Sequence, residues 1–249
     1  MIQTALLDGL ATGDLALAWA VVALAGMVRG FSGFGSALLM SPLFSIIFTP
    51  SQGVAIIVGM EMVGAWLLLP GAYRSINWKE VLPMAGAAWL AAPLGTTILL
   101  VLEPQAMRRI IALLVILLVA LLASGWRWRG GRGALATLGA GGISGFLNGS
   151  TGAGGPPVVL YQLSGLGTPA VQRANIIAFF CIPNLGTWSG LIAGGVFTRE
   201  VVALIFLLVP VYLAALHAGA VLFRRSGGHS YRRVVLLILL LVALLSLLA

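Results

Sequence analysis

Residues 25–36 read AGMVRGFSGFGS, and residues 144–155 read SGFLNGSTGAGG. Laid over each other at a spacing of 119, they pair Gly26 with Gly145, Arg29 with Asn148, Gly30 with Gly149 and Ser32 with Thr151. Gly33 then falls on Gly152, and Gly35 on Gly154. The shared pattern is G-x-x-[RN]-G-x-[ST]-G-x-G. At the same spacing Thr49-Pro50 meets Thr168-Pro169. Further on the spacing drifts to 124, where RRIIALLVILLVALL (108–122) lies over RRVVLLILLLVALL (232–245). Three matches in one order identify an internal duplication. The chain divides into a first repeat over 1–125, a basic linker over 126–133 and a second repeat over 134–249.

The sequence around the motifs shows what medium the repeats occupy. Of 249 residues, 60% are hydrophobic and 8% charged, against about 25% charged in a soluble domain. So few charges cannot cover a water-exposed surface, and a soluble fold is excluded. Runs such as IIALLVILLVALLASG (110–125) and VVLLILLLVALLSLL (234–248) match bilayer thickness as helices. They lack the alternation of a membrane β-strand, which excludes an outer-membrane barrel. An all-α polytopic membrane protein follows. Three spans are predicted in each repeat: 51–72, 80–101 and 105–124, then 171–194, 201–222 and 231–248. Ahead of them lie longer elements, 15–48 and 134–167, each interrupted by its Gly motif. Each is either one long helix or two half-helices folded back as a hairpin.

Charge placement separates these alternatives. The net charge is +8, but the basic residues sit in short connections, so they are read as topogenic rather than as a nucleic-acid surface. If each broken element were one helix, the repeats would be parallel. Arg74, Lys79, Arg127, Arg129, Arg132 and Arg199 would then face seven basic residues on the other side. If each is a hairpin, the repeats are inverted. The 73–79, 125–133, 168–173 and 223–233 connections then share ten basic residues against three, Arg108, Arg109 and Arg199. The positive-inside rule selects the hairpins. Both termini are then expected outside the cytoplasm, which suits Asp8 and Asp14. No basic residue precedes Arg29, the wrong polarity for a signal peptide.

Inverted repeats with elements broken near mid-membrane are the architecture of secondary transporters. Broken helices leave backbone groups unpaired, tolerated at membrane depth only where protein or water lines the site. Half-helix N-termini offer free N–H donors and partial positive charge, so a facing pair forms an anion site. Arg29 lies inside the first motif, away from the basic connections. A charge in the bilayer needs a partner, and a guanidinium fork suits an oxyanion. Ser32 and Thr151 offer hydroxyls, with hydrogen bonding to their own turn as the alternative. Asn148 offers its amide. Gly30, Gly33, Gly35, Gly149, Gly152 and Gly154 offer backbone donors and close approach, or helix packing instead. Glu61 stands deep in a span and is a candidate proton carrier or a structural partner of Arg29. Gln162, Asn175 and Asn184 are expected to make interhelical hydrogen bonds.

Enzyme chemistry finds no support. GSTGAGGPP (149–157) lacks the GK[ST] ending of a phosphate loop. Two histidines and one cysteine provide no metal cluster, and no catalytic set stands out. No catalytic residue, metal or cofactor is expected, and Cys181 is read as a small buried hydrophobe.

The residues GMVRGFSGFGSALLMSPL (26–43), their repeat GFLNGSTGAGGPPVVLY (145–161) and the paired RR-apolar runs resemble the TauE/SafE sulfite exporter family, also called the 4-toluene sulfonate uptake permeases (TSUP). The likeness covers essentially the whole chain. It implies a multi-pass permease of the bacterial inner membrane that moves small anions, sulfite or organosulfonates such as sulfoacetate. It carries the substrate role onto Gly30–Gly35 and Gly149–Gly155. The first motif, GFSGFG, is bulkier than the Gly-richer family pattern. The expected partners are the lipid bilayer and a small anionic substrate held by the motif residues, with alternating access coupled to a proton through Glu61. A passive anion channel and a non-transport membrane scaffold are the rival readings.

Overall fold

The computed structural model describes residues 12–124, 133–165 and 167–225, and within them every regular element is a helix. α1 (Thr12–Ser32) and α2 (Ser36–Ile47) make up the first broken element, followed by α3 (Pro50–Ala72), α4 (Trp78–Val101) and α5 (Pro104–Ala123). In the second half α6 (Ala134–Thr151) and α7 (Gly155–Leu163) precede α8 (Pro169–Cys181), α9 (Pro183–Ala193) and α10 (Arg199–Arg225). The linker up to residue 132, the last expected span (231–248) and Asp8 lie outside the described residues.

Among the described residues, six stretches are long and apolar enough to cross a membrane: Gly13–Ser32, Pro50–Ser75, Trp78–Val101, Pro104–Leu122, Pro169–Ala193 and Arg199–Arg225. The 24 residues of α4 reach about 36 Å at 1.5 Å each, enough for a hydrocarbon core of about 30 Å. The repeated Thr-Pro pair starts a helix both times. Thr49 accepts from the Gln52 backbone N–H while the Gln52 side chain reaches back, and Thr168 accepts from the Val171 N–H. The stretch expected as one span over 171–194 is split. Pro183 has no N–H to continue the ladder, so α8 stops and α9 restarts beside it.

Both broken elements fold back. Gly33, Gly35 and Gly152 hold φ of 85°, 95° and 73°, a backbone that side chains other than glycine rarely adopt. Along α6 and α7, Thr137 Oγ1 and Tyr161 Oη meet at 2.7 Å, and the Ser144 hydroxyl donates to the Gly154 carbonyl. One contact near the open end and one near the turn make this an antiparallel hairpin. In the first hairpin Gly35 packs back on Val28. The two tips touch: Ser41 Oγ donates to the Thr151 carbonyl at 2.5 Å, and Gly155 lies against Phe34.

Close helix packing carries the duplication into three dimensions. Gly26 and Gly30 of α1 press on the carbonyls of Tyr212 and Leu216 in α10, and Gly219 of α10 presses on that of Met27. Gly145 and Gly149 of α6 press on the carbonyls of Ala88 and Ala92 in α4, and Gly95 presses on that of Phe146. The second set is the first moved by 119 residues on the hairpin helix and 124 on the span. Residue numbers rise together in each pair, so α1 runs parallel to α10 and α6 parallel to α4. Gly59 meets Ile205, and Gly64 meets Tyr212 and Leu216, so α3 runs with α10 as well. The surface is apolar, with Leu135 87% and Phe206 75% exposed, while Arg29 and Glu61 are each 1% exposed. That inversion of a soluble protein's pattern suits lipid outside and a polar interior.

Candidate functional site

The two hairpins supply the polar interior. In the first, Arg29 near the end of α1 donates through Nη1 to Glu61 Oε1 of α3 at 3.4 Å. Ser36, the first residue of α2, donates to the same oxygen at 2.5 Å. The Phe180 ring of α8 lies 4.8 Å from the guanidinium carbon, a cation–π contact in a dry setting. Arg29 Nε and Nη2 and Glu61 Oε2 are buried without a hydrogen-bond partner. Nε and Nη2 form one edge of the guanidinium, the edge that grips two oxygens in parallel. Beside it, α2 begins at Gly35 with no side chain capping its first N–H groups. Cation and helix N-terminus therefore sit together.

The second hairpin has a neutral version of the same arrangement. Asn148 Nδ2 donates to Asn184 Oδ1 at 3.1 Å and to Thr187 Oγ1 at 3.0 Å. Asn148 Oδ1 and Asn184 Nδ2 are buried without partners. By residue spacing, the counterpart of Glu61 falls near residue 180, which is apolar. The α8–α9 break shifts the register, and Asn184 occupies that role instead. The N-terminus of α7 carries Pro156 and Pro157, which have no N–H to offer.

The remaining motif residues serve the turns and the packing in this conformation. Ser32 Oγ lies 2.7 and 2.6 Å from the carbonyls of Val28 and Phe34, which share its one proton, and it accepts from the Phe34 N–H. Thr151 Oγ1 donates to the Leu147 carbonyl and accepts from the Ala153 N–H. The Gly33 and Gly152 N–H groups bond the carbonyls of Arg29 and Asn148. Gly30 and Gly149 face the neighbouring helices α10 and α4, and Gly154 packs on Asn148. Thus Arg29, Glu61 and the α2 N-terminus come together, Asn148 heads the neutral half, and the tips bring the halves into contact.

Sequence reasoning missed Ser36, Phe180 and Thr187. Ser36 ends the first motif but aligns with Gly155, so the repeat hides it. Asn184 was expected to make an interhelical bond, and it does. Gln162 and Asn175 also bond between helices, joining Glu80 and Asn77 in one chain. Arg173 does more than topogenic work: it donates to the Gly30 and Phe31 carbonyls at 2.6 and 3.1 Å, capping α1. Cys181 is buried. Among the described residues, no group of three or more His, Cys, Asp or Glu is placed to hold a metal ion.

One end of the bundle is basic. The last turns of α3 and α10 and the first of α8 surround a cavity of about 270 Å³ lined by Ser75, Arg173, His217 and Arg224 among others. Arg108, at the start of α5, instead donates to the carbonyl of Phe48, beyond the end of α2.

The family model for the sulfite exporter TauE/SafE matches residues 18–246, nearly the whole chain. No curated protein and no solved structure matches it.

Proposed function

Since the chain belongs to the TauE/SafE sulfite exporter family, a family of membrane transporters, we propose that it carries small oxyanions, organosulfonates or sulfite, across the bacterial inner membrane by alternating access. The observation behind this is the Nε/Nη2 edge of Arg29, buried and without a protein partner. A desolvated guanidinium with the three N–H groups of one edge unused is costly, and an oxyanion supplies what it lacks. The uncapped N-terminus of α2 adds N–H donors at the same place. Ser32, Gly33, Gly35, Asn148, Thr151, Gly152 and Gly154 complete the proposed site at the paired tips. Gly30 and Gly149 bring their helices close enough to form it.

The repeats are proposed to be inverted, and helix direction supports this. The five residues Tyr73–Asn77 span at most about 18 Å, whereas α3, with its 23 residues, is about 34 Å long. α4 must therefore turn back against α3. α1 and α3 run with α10, and α6 runs with α4, so α1 and its counterpart α6 point in opposite directions. Rocking the two halves about the tips would expose the site to each side in turn. Glu61 is the proposed proton carrier: its Oε2 has no partner, and a neutral carboxyl would release Arg29 to the anion. The basic end is proposed to face the cytoplasm, with both termini periplasmic.

The test is a thermal-shift screen of the detergent-purified protein against sulfite, sulfate, taurine, isethionate, sulfoacetate, phosphate and short carboxylates. A sulfonate or sulfite should stabilise the protein, and Arg29→Lys, which keeps the charge beside Glu61 but loses the fork, should bind at least about tenfold more weakly. Equal stabilisation of Arg29→Lys and wild type would overturn the site.

A further inference from the structure

Tyr212 belongs to no motif, yet it is fully buried at 0% exposure and its hydroxyl has no hydrogen-bond partner. An unpartnered buried hydroxyl leaves its desolvation uncompensated, and phenylalanine would fill the same space without that cost. Two glycines hold the ring. Gly26 packs on it from α1 and Gly64 from α3, where a Cβ would stand 2.9 Å from Tyr212 Cε1 and 3.4 Å from its hydroxyl oxygen. Arg29 lies three residues beyond Gly26, and Glu61 three before Gly64. Each therefore shares a helix face with a glycine that touches the tyrosine. The Ser36 side chain stands beside the hydroxyl without a well-formed hydrogen bond to it, and Arg29 and Glu61 lie within electrostatic reach. The neutral half lacks this group: at the spacing of 124 that relates α10 to α4, the counterpart of Tyr212 is Ala88.

We infer that Tyr212 is a specificity residue of the anion site, donating its hydroxyl to a third substrate oxygen and so favouring sulfonates and sulfite over carboxylates. The inference rests on the proposed Arg29 site. The Nε/Nη2 edge of a guanidinium takes two oxygens side by side, which is all that a carboxylate has. A pyramidal anion with three oxygens leaves one outside that grip. Tyr212 meets it from a different helix, in the other repeat. A hydrogen bond to a charged group then separates two anion classes that the arginine alone treats alike.

The experiment measures ethanesulfonate and propionate binding to the full-length protein in detergent by calorimetry, together with anion-free thermal unfolding. Wild type should prefer ethanesulfonate. Tyr212→Phe should weaken ethanesulfonate by about tenfold or more, leave propionate unchanged, and unfold at the same or a higher temperature without anion. Gly64→Ala, which displaces the ring, should lower the same preference. An unchanged preference in Tyr212→Phe overturns the inference, as does an equal loss for both anions or a lower anion-free unfolding temperature. If Arg29→Lys loses both anions while Tyr212→Phe loses neither, only the role of Tyr212 falls. If wild type binds neither anion, the Arg29 reading falls and this inference with it.

Discussion

At the residue scale, the chain keeps an ion pair where most membrane interiors keep none. The Arg29–Glu61 contact is single and 3.4 Å long, far from a bidentate grip. Removing one partner of a buried pair costs about 3–5 kcal/mol because the other is left bare. Arg29→Ala would therefore mix folding loss with binding loss, and Arg29→Lys is the cleaner variant. Glu61→Gln keeps the shape and the hydrogen-bonding reach to Ser36 but cannot exchange a proton. Transport measured in proteoliposomes over pH 5.5 to 8 should lose its pH dependence in Glu61→Gln while anion binding persists. Retained pH dependence would move coupling to another group. The neutral half offers a contrast: Asn148→Asp would add a carboxylate near the tips and should weaken anion binding by like-charge repulsion, read in the same thermal-shift assay.

At the element scale, glycine does two separate jobs inside one ten-residue motif. Gly33, Gly35 and Gly152 turn the chain with positive φ. Gly26, Gly30, Gly145 and Gly149 let backbones touch. The duplicated motif was legible in the sequence, and so was the hairpin, through the distribution of Lys and Arg. Which glycine turns and which packs was not legible, because both jobs need the same missing Cβ. The split of α8 from α9 at Pro183 was also unread, since the run averages apolar enough to span and hydropathy does not register a single absent N–H. Gly149→Ala should destabilise the protein by about 1–3 kcal/mol, since its Cβ would overlap the Ala92 carbonyl. Gly139→Ala, with open space at its Cβ, should leave stability unchanged. Equal unfolding temperatures for the two variants would remove the packing role.

At the scale of the whole molecule, the predictions concern orientation and cycle. In a Cys181→Ser background, cysteines at Ser75 and Arg224 should label from the cytoplasmic side, and those at Arg109 and Thr198 from the periplasmic side. The four positions are exposed, and they lie at opposite ends of the bundle. Labelling of Ser75→Cys and Thr198→Cys from the same side would refute the inverted arrangement. Carrier and channel separate by counterflow: internal anion should accelerate uptake of external labelled anion, and an absence of trans-stimulation would favour a passive pore.

The sequence by itself determined the membrane class, the duplication, the span lengths and the placing of Arg29, Asn148 and Glu61 as unusual polar residues. Those properties follow from composition and spacing, which act locally along the chain. Only the tertiary structure decided which groups meet. Ser36 reaches Glu61, Asn184 answers Asn148, and Tyr212 arrives from the other repeat, because helices that pack glycine against carbonyl bring together side chains more than 180 positions apart. The chemical difference of the halves, one charged and one amide, was already written in the pairing of Arg29 with Asn148; the structure added the partners of each. The repeat aligns backbones but leaves each buried polar group to find whatever partner the packing presents.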